Sequence, residues 1–247
     1  GENMKKIIIL INFVIISLVS YSLNFSVVPT RFEVELGKIT TNEVYIINNT
    51  TEPMRLEAYV ESDKKFGENY NLNEDIVIFP KKIFVKPGAR QTVRFRVKPN
   101  SEYSNGEYKS YITFKEVPYD LKSEIKTVKR MSGANVSVLT EIGIPVYGYK
   151  GDQIVEANIE KLDVKRMKKS ISVDILVESK GNSSLKLFYE LVSVGLNENN
   201  KGKIGMSSRE GKVKISAGIP IPEKLLNKKI KLIIKDQNNK VYYDKII

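Results

Sequence analysis

Hydrophobic and polar residues alternate along most of the chain after residue 24, with a period close to two. Successive side chains of a β-strand point to opposite faces, so this alternation is typical of strands with one buried face. Val93, Phe95 and Val97, for example, alternate with two arginines. The other clear alternating runs are 32–36, 44–47, 56–60, 111–116, 171–176, 185–189 and 231–235.

Clusters of Gly, Pro and Asn separate these runs, and such clusters are strong turn signals. They include Pro87-Gly88, Asn105-Gly106 and Asn197–Asn200. No long stretch after residue 22 has the 3.6-residue period of a helix, and 222–226 could form one helical turn at most. The pattern therefore predicts an all-β chain built from antiparallel β-sandwiches.

One boundary divides the predicted strands into two groups. It lies near Gly148–Asp152, after a long predicted strand from Asn135 to Tyr149. The sequence therefore predicts two β-sandwich domains at an angle to each other, at 23–149 and 152–247, each long enough for its own core. The polar segment 120–133 is expected to be a loop of the first domain.

The first 22 residues have the layout of a secretory signal peptide. Lys5 and Lys6 precede an almost unbroken apolar run at 7–19, and small residues follow, which predicts cleavage after Ser22. The alternative is a transmembrane anchor, but the run is short for the roughly 20 residues of a membrane span. We therefore expect an exported periplasmic protein that is not embedded in the membrane after cleavage.

The composition excludes several kinds of chemistry. The 247 residues include no Cys, His or Trp. A Cys nucleophile, a Ser-His-Asp triad and the usual zinc sites need residues that this chain lacks, and disulfides are impossible. No acidic cluster indicates a paired-carboxylate hydrolase or a metal loop. We therefore expect neither an enzyme nor a bound metal or cofactor.

The formal net charge is +11, from 40 Lys and Arg against 29 Asp and Glu. The charges are scattered among acidic residues and form no basic stripe with aromatics, which disfavours nucleic acid as a partner. Acidic proteins or anionic lipid headgroups are better candidates, and general solubility is an equally good explanation of the charge.

Four segments of the first predicted domain resemble the PapD-like periplasmic chaperones of chaperone–usher pili. Val28-Pro29-Thr30-Arg31 resembles the family's first strand, and Gly106–Pro118 resembles its sixth strand, which ends in an aliphatic-Pro pair. Ile78-Phe79-Pro80 and the run VKPGARQTVR at 85–94 together resemble a strand–turn–strand of the family. The segment Asn135–Tyr149 resembles the long seventh strand.

The resemblance covers about 23–150 and implies two immunoglobulin-like domains, of which the second matches only in size and β-rich character. It also implies a function. Such chaperones bind pilin-like subunits by donor-strand complementation and deliver them to an outer-membrane usher, without nucleotide. An alternative with the same fold is a structural or adhesion protein of the cell envelope that has no chaperone activity.

The resemblance makes the seventh strand the donated one, which fills the groove of an incomplete subunit with apolar side chains. The expected subunit-binding residues on one outward face of this strand, at an edge of its sheet, are Val136, Val138, Thr140 and Ile142. The alternative is an ordinary core strand with Val136 and Val138 pointing inward, and the residues alone leave both open.

Arg31 is the expected anchor for the C-terminal carboxylate of a subunit. A guanidinium can bind a carboxylate with two charge-assisted hydrogen bonds. Pro29, just before it, is expected to break the strand or to move the chain to the other sheet. Without the resemblance, the favoured interpretation is a surface arginine paired with a nearby glutamate.

The chain departs from the family at the second anchoring residue. A lysine of the seventh strand usually assists the arginine, but Pro145 aligns with it, and the sequence Ile144-Pro145-Val146-Tyr147 resembles the archaic branches instead. Lys115 and Lys150 could supply a second charge near the cleft, although neither matches the motif position.

Overall fold

The computed structural model describes residues 23–100, 102–118, 139–193 and 199–247. These residues form sixteen β-strands and one 3-10 turn at Glu223–Leu225, so the chain is all-β, as predicted. The predicted signal peptide and the predicted loop at 120–133 lie outside the described residues. No helix in the described part of the chain is long and apolar enough to cross a membrane.

Nine strands build the first sandwich. They are β1 Phe25–Val28, β2 Phe32–Glu35, β3 Thr40–Asn48, β4 Met54–Ser62, β5 Ile76–Phe79, β6 Lys82–Val85, β7 Arg90–Val97, β8 Gly106–Glu116 and β9 Glu141–Lys150. One sheet has the strand order β1-β3-β7-β5 and the other has the order β2-β9-β8-β4-β6. A single apolar core lies between these sheets.

Seven strands build the second sandwich around a separate core. They are β10 Ala157–Arg166, β11 Ser170–Ser179, β12 Lys186–Ser193, β13 Asn199–Met206, β14 Gly211–Pro220, β15 Ile230–Asp236 and β16 Val241–Ile246. Its sheets have the orders β10-β11-β14 and β13-β12-β15-β16.

The alternation in the sequence explains how each core forms. In β11, every second residue from Ile171 to Val177 is apolar and has no exposed surface. The residues between them are only half-buried and face outward. Complete burial of an aliphatic side chain of this size contributes about 1.5–3 kcal/mol, so such rows hold the paired sheets together.

The first strand changes sheets at Pro29. β1 pairs antiparallel with β3 in one sheet, whereas β2 pairs parallel with β9 in the other. Proline has no backbone N–H and cannot continue the ladder of a central strand, so it is found where strands end or break. The break expected at Pro29 is therefore present, and it places Arg31 directly before β2.

Only the second half of β9 has a strand on both sides. β8 pairs along the whole of β9, but β2 pairs with it only from Phe32 opposite Val146 to Glu35 opposite Tyr149. No other strand of the described ranges lies beside residues 141–145 on the β2 side. We call this segment the open edge, because its backbone groups on that side are available for pairing.

Two hydrogen bonds show which groups point to the open edge. Thr140 O accepts from Glu116 N of β8 at 2.9 Å, whereas Tyr149 O accepts from Leu36 N at the end of β2 at 2.8 Å. The polar groups of successive residues alternate between the two sides of a strand, so the odd-numbered residues of β9 face β2 and the open edge. The available groups are the N–H and the carbonyl of Glu141 and of Gly143.

Candidate functional site

Arg31 lies where the open edge ends. Its guanidinium stacks on Tyr147 of β9, with Cζ 4.1 Å from the ring centre, and forms an ion pair with Glu33. The Arg31 side chain is 34% exposed and that of Glu33 is 54% exposed, so the ion pair is weak. Nε of Arg31 is buried and has no hydrogen-bond partner among the described residues. The ring therefore holds the guanidinium, while one of its donors is unused.

The surroundings of Arg31 favour its positive charge. Partial burial alone would lower the pKa of Arg31, but the nearby Glu33, Tyr147 and Tyr149 outweigh this effect and the net shift is upward. The guanidinium is therefore a permanent cation beside the open edge.

Tyr147 connects this arginine to the second sandwich. The side chain is 4% exposed, and Nζ of Lys109 lies 5.3 Å from its ring centre. The Tyr147 hydroxyl donates a hydrogen bond to Sδ of Met206, on β13, at 3.2 Å. Burial raises the pKa of Tyr147, although the charges of Lys109 and Arg31 oppose the rise. The neutral phenol is thus the form that bridges the domains.

Lys109 of β8 is bound to a carboxylate of its own domain. Its Nζ lies 2.6 Å from Oδ2 of Asp63 and donates to the Tyr111 hydroxyl at 2.9 Å. The two charged side chains are 8% and 17% exposed. Burial opposes ionisation of both, but their mutual attraction wins: the pKa of Lys109 is raised and that of Asp63 is lowered. Lys109 is therefore protonated, and the carboxylate of Asp63 balances its charge.

Buried polar contacts around Glu107 of β8 join the two sandwiches. The fully buried Glu107 accepts hydrogen bonds at Oε2 from the N–H and the hydroxyl of Ser184, at 2.9 and 2.5 Å. Lys186 Nζ lies 3.6 Å from the other carboxylate oxygen. The backbone of Glu107 also donates to Asn182 O at 2.9 Å and accepts from Nη1 of Arg209 at 2.8 Å. We call this group of contacts the domain joint.

Arg209 completes the domain joint from the second sandwich. It is 4% exposed, and its guanidinium stacks on Tyr70 and Tyr108, at 3.8 and 4.7 Å from the ring centres. Its Nη2 donates to Asn105 O at 3.1 Å. Because buried charged groups are costly unless they are hydrogen-bonded, these contacts tie the domains together.

Lys203 of β13 has no carboxylate partner. Its side chain is accessible to solvent, and no ion pair or hydrogen bond joins it to another described residue. The surrounding protein lowers the pKa of Lys203 by desolvation, and the charges of Arg31, Lys186 and Lys109 lower it further, whereas the charge of Glu107 raises it.

A cavity of about 300 Å³ opens between the two sandwiches beside Lys109. Asp63 and Phe66 line it from the first sandwich, and Met206 and Ser208 line it from the second. The described residues contain no group of acidic side chains that could hold a metal ion. The chemistry of the cleft is cationic and aromatic, and it suits a negatively charged group of a partner.

Comparison with known families decides the identity of the first sandwich. The sequence profile described as pili and flagellar-assembly chaperone, PapD N-terminal domain, matches residues 24–146. The chain belongs to the PapD-like chaperone family. The resemblance found in the sequence is therefore confirmed, and the matched range contains both Arg31 and the open edge of this PapD-like domain.

Several solved chaperone structures are similar to the PapD-like chain. The periplasmic chaperone SfaE is 13% identical, with a TM-score of 0.49 over 90% of this chain and 98% of that one. The archaic CsuC–CsuE chaperone–tip adhesion subunit complex of Acinetobacter baumannii gives 15% identity and a TM-score of 0.46, covering 91% and 97%. Comparison with curated proteins gives no match. The family assignment therefore rests on the profile match.

The structure describes two of the four residues predicted for strand donation by this PapD-like domain. Val136 and Val138 lie outside the described residues. Thr140 is half-buried just before β9. Ile142 packs against the core of the first sandwich, so it does not share the outward face predicted for it. The reason is the alternation of β9, which turns Ile142 inward.

Arg31 fits both interpretations of the sequence. It is paired with Glu33, as expected for a surface arginine, and it also lies at the open edge. Lys115 does not accompany it: Lys115 pairs with Glu141 at 3.5 Å. Glu141 lies six residues before Tyr147 on β9, which is about 20 Å at roughly 3.3 Å per residue. Lys150, three residues after Tyr147, points to the opposite face of β9.

The sequence did not reveal the other cleft residues of the PapD-like chain. Glu107 and Lys109 are charged residues two apart in a predicted strand, so they look like ordinary outward residues of β8. Lys203 follows Asn197–Asn200, which was predicted as a turn although β13 begins at Asn199. The available signal was weak, because only the packing of one domain on the other brings these residues together.

Proposed function

We propose that this chain is a periplasmic chaperone that captures pilin-like subunits by donor-strand complementation and passes them to an outer-membrane usher. The observation that carries the proposal is the open edge of β9, which ends at Arg31. Family membership and the signal-peptide layout of the first 22 residues support export and a role in pilus assembly. The usher is part of the proposal through family membership alone.

The pairing of β2 suggests how a subunit strand would add to the open edge. β2 runs parallel to β9 and occupies the position next to it from Val146 onward. A subunit strand that lies beside β9 on the same side as β2, and also runs parallel to β9, would end where β2 begins. Its ladder bonds would use the available groups at residues 141–145. Its last residue would lie beside Arg31.

The contacts of Arg31 suit the carboxylate at the end of such a strand. The two terminal nitrogens of the guanidinium can bind a carboxylate with two parallel hydrogen bonds when the ion pair with Glu33 opens. The weak, exposed ion pair with Glu33 offers little resistance to an incoming carboxylate. The guanidinium is already oriented by Tyr147, so little freedom is lost on binding.

Replacement of Glu141 by proline tests the proposal. The Glu141 N–H points to the open edge, so Glu141→Pro removes a donor and places a ring there without breaking a ladder bond to β8. Glu141→Ala is the matched control, because it removes the same contacts to Lys115 and Tyr59 but keeps the N–H. Each variant is co-expressed in the periplasm with a pilin-like subunit, and the complex is measured by native mass spectrometry.

We expect a one-to-one complex with wild type and Glu141→Ala, and at least a tenfold loss of complex with Glu141→Pro. Capture by Glu141→Pro at the wild-type level would contradict strand donation at the open edge. If the wild-type chain captures no subunit and is purified alone, a structural protein of the envelope becomes the better interpretation.

A further inference from the structure

One end of the second sandwich lies far from the domain joint. Ser184 and Arg209 belong to the joint, and β12 and β14 begin just after them and run away from it. β14 has ten residues, which is about 30 Å at roughly 3.3 Å per residue. Two described segments lie at this far end, the β10–β11 hairpin at 165–169 and the connection from β14 to β15 at 221–229. We call these two segments the distal end.

The distal end is strongly basic. Its sequences, KRMKK and IPEKLLNKK, contain seven Lys and Arg and one Glu, and they therefore contribute +6 to the chain's formal net charge of +11. All six of their lysines are exposed to solvent. More than half of the net charge is thus concentrated in two short segments.

Most of this charge is not balanced by neighbouring carboxylates. Five lysines of the distal end have no ion pair or side-chain hydrogen bond to any residue that the structure describes: Lys165, Lys168, Lys169, Lys228 and Lys229. Most other lysines of the second sandwich are paired, as Lys161 is with Asp163 and Lys214 is with Asp174, both at 2.9 Å. Paired charges largely cancel each other's field, so the positive potential of this domain is strongest at the distal end.

Arg166 holds the two segments of the distal end together. Its Nη2 donates hydrogen bonds to the backbone carbonyls of Leu226 and Lys228, at 2.9 and 3.1 Å. In addition, Ile221 N donates to Lys169 O at 3.0 Å. The lysines of the hairpin and those of the connection therefore lie next to each other on one surface.

This surface suits a layer of negative charge better than a single acidic group. Lysine is a flexible, strongly hydrated point charge, whereas arginine gives the planar geometry that selects one carboxylate or phosphate. The one arginine of the distal end is engaged with backbone carbonyls. Met167, at the tip of the hairpin, is 54% exposed between basic residues. An exposed apolar side chain surrounded by lysines is typical of a segment that lies on anionic lipid headgroups.

We propose that the distal end binds the surface of a membrane that contains anionic phospholipid. The lysines lie among the headgroups, and the side chain of Met167 enters the boundary with the acyl chains. The open edge belongs to the other sandwich, so the two surfaces do not overlap. The inference goes beyond the proposed function and does not depend on it.

The test measures binding of the protein, purified from the periplasm, to sedimented vesicles. One set of vesicles is pure phosphatidylcholine, and the other is an equal mixture of phosphatidylcholine and phosphatidylglycerol. The distal-end variant replaces four of the unpaired lysines: Lys168→Gln/Lys169→Gln/Lys228→Gln/Lys229→Gln. The matched control removes the same charge from exposed lysines of the first sandwich that form no ion pair with a described residue: Lys64→Gln/Lys81→Gln/Lys86→Gln/Lys98→Gln.

We expect wild type to bind the mixed vesicles and not those of pure phosphatidylcholine. The distal-end variant should bind the mixed vesicles about a hundredfold more weakly, because each lysine near an anionic surface strengthens binding by about fivefold. The control variant should bind within about threefold of wild type. Added salt should weaken binding of wild type, since it screens exposed charges. All three proteins should have the same melting temperature, because the replaced side chains make no contacts with described residues.

Absence of wild-type binding to the mixed vesicles would overturn the inference. An equal loss in the two variants would also overturn it, since the effect would then come from net charge and not from the distal end. If wild type binds soluble polyglutamate but not the vesicles, the partner is an acidic protein and the inference is wrong. None of these results would affect the proposed function, which Glu141→Pro tests separately.

Discussion

Arg31 is held by an aromatic ring and a weak ion pair, and neither contact contributes much to folding. Arg31→Ala should therefore weaken subunit binding by about 10- to 100-fold, from a charge-assisted bond of about 1.5–3 kcal/mol, and leave the melting temperature nearly unchanged. Arg31→Lys should also bind more weakly, because an ammonium cannot form the planar fork. Calorimetry measures this with two forms of a pilin-like subunit, one with a free C-terminal carboxylate and one with a C-terminal carboxamide. If wild type binds both forms equally well, Arg31 is not a carboxylate anchor.

Lys109, unlike Arg31, should contribute to the stability of the fold. Lys109→Met leaves Asp63 largely buried without its partner, and we expect a loss of about 3 kcal/mol in the free energy of unfolding. The double variant Lys109→Met/Asp63→Asn should recover most of this loss. Chemical denaturation of the three proteins measures the effect. A single variant as stable as wild type would show that the pair does not stabilise the fold.

The same pair predicts a pH dependence. The pKa of Asp63 is lower in the folded chain than the value of about 3.9 in an unfolded chain. Its stabilising contribution is therefore complete above about pH 4 and is lost as the pH falls through the folded value. Wild type should lose stability more steeply below pH 4 than the double variant. The free energy of unfolding is measured by urea denaturation from pH 5 to pH 2.5. If it falls equally with pH in wild type and the double variant, this prediction is wrong.

Strands with one face in solvent were predictable from the sequence, and strands that contact the other domain were not. In β7 the apolar residues are buried and the arginines between them are exposed, as the alternation predicts. In β8 both faces are buried, because the second sandwich covers Glu107 and Lys109. β13 has no alternation at its start and was predicted as a turn. Alternation reports burial within a domain but contains no information about a neighbouring domain.

Site prediction had the same limit. Arg31 was found because a motif of the first strand marks it. Tyr147 and Met206 belong to different domains, and only the folded chain brings them into contact. Ile142 was placed on the wrong side because the register of β9 could not be known before its pairing with β8.

Substitutions only a few residues apart, at 136, 138 and 142, should affect different properties: the first two should affect subunit binding and the third should affect folding. Val136→Glu/Val138→Glu should abolish subunit capture and leave the melting temperature nearly unchanged. Ile142→Ala should instead reduce the free energy of unfolding by about 1–3 kcal/mol, because its side chain packs against the core. Thermal melting and co-purification of the subunit measure both. Strong destabilisation by the double Glu variant would show that Val136 and Val138 are core residues.

The domain joint depends on a glycine. Gly106 has φ of +129°, which residues with a side chain rarely adopt, and an added Cβ would clash with Asn182 O of the second sandwich. Gly106→Ala should therefore cost about 1–3 kcal/mol in backbone strain alone and loosen the joint. Gly37→Ala is the control, since an added Cβ there meets nothing within 4 Å. Hydrogen exchange at Ser184 should increase in the first variant only; unchanged exchange would contradict this role.

β2 also sets a limit on length. If a subunit strand pairs with the open edge as proposed, it meets β2 at Phe32 and cannot continue along β9, so its last residue has a fixed place relative to the sheet. Side-chain direction reverses at every residue, and a subunit longer by one residue would therefore turn its apolar side chains to the wrong face. The register of each bound subunit strand would therefore be set by the distance of its residues from the C-terminus. Adding one residue to the end of a subunit should then be more damaging than adding two.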